Sequence, residues 1–131
     1  MSLTSFDKKY SMDEAFLENI NMPIRHFYTQ MKEGDEEGMF HSVEYFEIIC
    51  SPVVNTSKAQ KTIEWLHDNF NKAFIYDETG EKIGFHPKNR MMVLKYIKQA
   101  FREIVNALEK EGIYTKKIMK MEDVMGKFRS G

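Results

Sequence analysis

Residues 88–111 read KNRMMVLKYIKQAFREIVNALEKE. Leu94, Ile97, Phe101, Ile104 and Leu108 recur at steps of three and four, the spacing of one face of an α-helix. Val93, Ala100, Val105 and Ala107 widen that face to about half the helix circumference. Lys95, Lys98, Gln99, Arg102, Asn106 and Lys110 take the opposite side, and Gly112 supplies a C-terminal stop. The uninterrupted face predicts that 90–111 is the longest helix and buries the largest share of apolar surface. A face so wide suits a central helix or one that pairs with a second copy.

Upstream, the period changes. Phe74-Ile75-Tyr76 and Lys82-Ile83-Gly84-Phe85 flank Asp77-Glu78-Thr79-Gly80. Asp opens type I turns and Gly accepts the left-handed conformation that follows one, so 74–86 is expected to be a β-hairpin. Before it, Ser57 and Gln60 have the spacing of a capping box, and Ala59, Ile63, Leu66, Phe70 and Ala73 form a helical seam. Asp35 starts another helix, with Glu36 and Glu37 in its first turn, where they favour the positive end of the dipole. Met39, Val43, Phe46 and Cys50 are its apolar face and Pro52 its end. Tyr45–Val54 is β-prone, which keeps a strand open for its second half. The first helix is expected to start at the Ser11/Glu14 capping box and to stop at Gly34, with a kink or fresh start after Asn21 imposed by Pro23. Beyond Gly112, Ile118, Met121, Met125 and Phe128 place an amphipathic helix over 115–128. The chain therefore reads as mainly α, a single-domain bundle of about five helices over 12–131 with one hairpin before a long helix. Residues 1–11 are expected to be a flexible arm, and Met1-Ser2-Leu3 resembles an appended leader on a piece of a longer protein.

Composition narrows the function classes. The chain has 131 residues, 42% hydrophobic and 30% charged, which suits one packed domain rather than a disordered segment. Its single Cys50 excludes an intramolecular disulfide framework and points to a reducing, cytoplasmic setting. No apolar run has the length of a membrane span. Charge is split: residues 1–56 hold 4 Lys/Arg against 10 Asp/Glu, and residues 57–131 hold 15 against 10. Two halves of opposite sign can attract each other in a dimer or attract separate partners.

Chemistry-bearing patterns are sparse. Glu64 and His67 have the E-x-x-H spacing of di-iron bundles, but a second copy is missing, and His41 and Glu44 run in the reverse order. His26 and His86 lack partners at metal-ligand spacing. Cys50 lies in an apolar run ahead of Pro52, as an inert thiol would. Phosphate-binding glycine loops and nucleophile elbows are absent. The sequence therefore offers no catalytic residue, metal ligand or cofactor. It offers one aromatic: on a helical wheel Trp65 falls roughly 200° from Ile63, on the side of Lys58, Lys61 and Lys72. A tryptophan among cations suits a binding surface, unless a second layer covers it.

The order helix, helix, helix, hairpin, long helix resembles winged-helix regulators in outline. That resemblance implies DNA contact through the third helix, with Lys58, Lys61 and Lys72 on phosphates. Glu64, Asp68 and the acidic turn Asp77-Glu78-Thr79-Gly80-Glu81 oppose it. The leading expectation is a non-catalytic interaction or regulatory module whose partner is a protein or a second copy. Its dimer face would use Leu94, Ile97, Phe101, Ile104, Leu108, Met121, Met125 and Phe128. DNA binding is the alternative, and a small-ligand sensor with an apolar pocket among Phe and Met residues is the third reading.

Overall fold

The structure, a computed structural model, describes residues 2–113. Four α-helices and one hairpin follow in order: α1 (Ser2–Glu33), α2 (Glu36–Cys50), α3 (Ser57–Asn69), a 3-10 turn (Phe70–Ala73), β1 (Phe74–Tyr76), β2 (Lys82–Phe85) and α4 (Pro87–Lys110). The chain is mainly helical, as its periodicity requires. The helix expected over 115–128, with Met121, Met125 and Phe128, lies outside the described residues.

α1 departs from its expected limits. It begins at Ser2, so the Ser11/Glu14 pair sits inside the helix rather than at its start. It also runs unbroken through Pro23, and at 32 residues it, not α4 with 24, is the longest helix. Pro23 removes one N–H, leaving the Asn19 carbonyl without its helical partner. Asn19 is exposed, so water can take that role. Ile20, Pro23, Ile24 and Phe27 are all buried, and this packing holds the helix in register across the proline.

The α1–α2 corner follows its local chemistry. Gly34 adopts φ 72°, Asp35 caps α2, and the Asp35 Oδ1 accepts the Gly38 N–H at 2.9 Å. A Cβ on Gly38 would lie 2.9 Å from the Gln30 amide carbon and closer still to the Asp35 carboxyl, so a side chain there would have to displace the Asp35 cap and the Gln30 amide. The Gln30 amide and the Ser42 hydroxyl, 2.6 Å apart, join the two helices. α2 stays helical through Cys50 despite its β-prone second half, because Val43, Phe46 and Cys50 are fully buried on one face.

α3 begins after Thr56, and the expected Ser57/Gln60 capping box does not form. Gln60 Nε2 donates instead to the Glu47 carboxylate of α2 at 2.7 Å. The hairpin forms where its turn residues place it. Phe74 pairs with Phe85 and Ile75 with Gly84, and a bulge follows before Tyr76 meets Lys82. The Gly80 N–H bonds the Asp77 carbonyl at 3.0 Å, and Gly80 takes φ 86°. α4 opens at Pro87, a favourable first-turn position. It closes in a Schellman motif: Gly112, at φ 80°, donates to Glu109 and Ile113 to Leu108.

The helices alternate in direction. Glu36 at the start of α2 meets Arg90 at the start of α4, while Phe101 in the middle of α4 stacks on Phe27 of α1 at 4.2 Å and meets Phe46 of α2 at 5.3 Å. α4 therefore touches all three other helices. Val93, Ile97, Ala100, Phe101, Ile104, Val105 and Leu108 are its buried face, the central one that the sequence predicts.

Candidate functional site

α3 lies across two neighbours, and this decides where Trp65 goes. Along one flank the Thr62 hydroxyl donates to Glu103 of α4 at 2.6 Å, and the Trp65 ring packs on Tyr96 at 4.1 Å between centroids. Along the other, His67 and Gln60 meet α2. A helix with a single neighbour would leave Trp65, opposite the seam, in solvent. The second layer instead leaves it half-buried against α4. With Asn69, Lys72, Asn89, Met92 and Val93 it lines a shallow cleft of about 90 Å³. Asn69 Nδ2 donates to the Trp65 carbonyl at 2.8 Å, and Asn89 Nδ2 to the Lys72 carbonyl at 3.2 Å. Trp65 and Lys72 thus line the same cleft. Lys58 and Lys61 are exposed farther along α3 and do not line it. The cleft is too small for an ordinary ligand, which needs roughly 300 Å³ or more.

The expected dimer face has another use. Ile97, Ile104 and Leu108 are fully buried, Phe101 is nearly so, and Leu94 packs at the edge of the same core. These residues close the chain's own bundle and are not available as the centre of a contact with a second copy. The apolar width of α4 serves three intramolecular neighbours, a demand that its sequence alone does not distinguish from a partner subunit.

A cluster that sequence spacing did not assemble lies between α2 and α3. The Glu44 carboxylate takes His67 Nε2 at 2.7 Å on one oxygen and His41 Nδ1 at 3.1 Å on the other. His67 pairs with Glu44 across the helix interface and not with Glu64, its neighbour in the E-x-x-H pattern. Glu37, Phe40, Phe70, Asn71 and Tyr76 complete a cleft of about 220 Å³. Here the carboxylate occupies the space between the imidazoles. Among the described residues no group of three or more His, Cys, Asp or Glu is placed to hold a metal ion. The cross-helix partner is a tertiary contact, so only a model of α2–α3 packing could have revealed it.

A third cleft, of about 280 Å³, separates α1 from α4 and is lined by Phe27, Tyr28, Met31, Lys98, Phe101, Arg102 and Val105. Elsewhere, burial pushes the Cys50 thiol up to about 12, aided by the nearby Glu47 charge, so it is protonated and unreactive at neutral pH. No helix among the described residues is long and apolar enough to cross a membrane. Comparison of the chain with protein-family models, with curated proteins and with solved structures gives no match.

Proposed function

We propose that this chain is a non-catalytic interaction module of the cytoplasm that pairs with a second copy of itself. The observation that carries the reading is the exposed apolar surface at the hairpin end of the bundle. Ile83 is 65% exposed and Met91 72%, and Ile75, Tyr76, Phe85 and Met92 are exposed beside them in the sequence of the hairpin and the first turns of α4. Association would take several of these large apolar side chains out of water. Methionines at such a surface repack easily against a partner. The inert Cys50 and the small Trp65 cleft offer no competing chemistry. Sedimentation equilibrium over a hundredfold dilution at micromolar concentration tests the reading. The expected result is a dimer that Ile83→Asp with Met91→Asp converts to a folded monomer. A monomer mass for the unaltered chain at every concentration refutes it.

A second reading, DNA binding, is favoured by the charge of α4. Residues 87–102 carry five cations and no acid, and among the described residues only Arg90 of these is paired with a carboxylate. Lys58, Lys61, Lys72 and Lys88 are exposed. Against it, Arg90 is tied to Glu36 and leaves a gap in the basic surface, and the hairpin tip carries Asp77, Glu78 and Glu81. Binding of mixed-sequence duplex that weakens steeply with salt, and is lost in Lys58→Glu with Lys61→Glu, would establish it. No binding at low salt would remove it.

A further inference from the structure

The cleft between α1 and α4 combines an apolar floor with a cationic rim. Phe27, Phe101 and Val105 are buried and form the floor, and Tyr28 and Met31 stand beside it. Phe27 and Phe101 stack face to face with their planes 7° apart, which makes this floor aromatic and closely packed. Lys98 and Arg102, one helical turn apart on α4, complete the lining and are exposed. Neither is paired with a carboxylate among the described residues. A recess of about 280 Å³ falls just below the usual ligand-site range and suits only a small ligand; such sites are mostly apolar with a few polar groups that fix orientation.

We propose that this cleft binds a small amphipathic carboxylate of the medium-chain fatty-acid type. The carboxylate lies between Lys98 and Arg102, where the planar guanidinium can offer two parallel N–H donors and the ammonium a point charge. The aliphatic chain lies on the Phe27–Phe101 stack and against Val105 and Met31. The rim sets the sign: a cationic amphiphile is repelled, and a neutral one leaves both cations without a counter-charge. This site shares no residue with the hairpin surface, so it stands or falls separately from self-association.

Titration calorimetry with hexanoate, octanoate and decanoate below their micelle concentrations tests the proposal, with octanol as the neutral control. Affinity should rise about fourfold for each methylene that the cleft can bury. Octanoate should bind about tenfold or more tighter than octanol, the value of charge-assisted contacts to the head group. Lys98→Glu with Arg102→Glu, both on the exposed side of α4, should remove that advantage while leaving the thermal melt unchanged. Met31→Trp should block the chain without touching the cations. The proposal is overturned if no heat is detected at millimolar octanoate, if octanol binds as well as octanoate, or if either variant binds like the unaltered chain.

Discussion

Arg90→Ala should destabilise the fold far more than its partly exposed position suggests. Arg90, in the first turn of α4, donates from Nε and Nη2 to Glu36 Oε1 in the first turn of α2. The Glu36 side chain is only 6% exposed and that of Arg90 32%. Removing the cation leaves a buried carboxylate with no counter-charge, which costs about 3–5 kcal/mol in comparable pairs. The N-terminus of α2 offsets up to about 1 kcal/mol of that, because its dipole favours a negative charge there. Loss of the guanidinium from above the Phe85 ring, 4.5 Å away, adds about 0.5–1 kcal/mol. The net expectation is about 3–4 kcal/mol, a large part of the roughly 5–15 kcal/mol that holds an ordinary domain folded. Urea melts followed by circular dichroism give the difference from the midpoint, provided the slope is unchanged. Glu36→Leu with Arg90→Met removes both charges and should return to within about 1 kcal/mol of the unaltered chain. A loss below about 1 kcal/mol for Arg90→Ala, or a double variant as unstable as the sum of its singles, would refute the account of a desolvated pair.

Phe101→Ala removes a ring packed on Phe27, Phe46 and Tyr28 and should cost about 3–5 kcal/mol in the same melts, toward the lower end because the vacated space opens onto the α1/α4 cleft. Cys50, its thiol held up at about 12, should react with a disulfide reagent at pH 8 only as fast as the chain opens, and at once in urea. Asp77 accepts hydrogen bonds from the Thr79 hydroxyl at 2.6 Å and from the backbone N–H of Glu81 and Thr79 at 2.9 Å each, which hold its carboxyl below the usual Asp range. With the folded value depressed, the turn gains stability above the unfolded Asp value and loses it as pH falls through the folded one. The amide signals of Thr79 and Glu81 should therefore titrate below about pH 3.9, and a midpoint at or above that value would contradict the geometry.

The elements that read true from sequence are those whose signal is local. The seam of α4, the Gly34 and Gly112 stops, the Asp35 cap and the Asp77–Gly80 turn each depend on residues within one or two helical turns of each other. Where the reading failed, a tertiary contact outweighed a local preference. The buried Ile20–Phe27 stretch carries α1 through Pro23, Glu47 draws Gln60 away from a capping box, and Tyr96 covers Trp65. The candidate sites follow the same division. Trp65 and Lys72 lie in one continuous stretch, α3 and the 3-10 turn after it, so their nearness is a local matter. Glu44 with His67, and Phe27 with Lys98 and Arg102, join residues from different helices, and no periodicity in either partner records the other.

The contacts of α4 with every other helix also govern the order of assembly. A chain made on the ribosome releases α1, α2 and α3 before α4, and until α4 emerges Phe27 and Phe46 lack the Phe101 ring that packs on them. Local helix formation is rapid, but the apolar faces stay open until α4 arrives. No stable three-helix intermediate is expected. Nascent chains ending before α4 should be bound by chaperones and cut readily by protease, whereas those extending past Ile113 should become resistant in a single step.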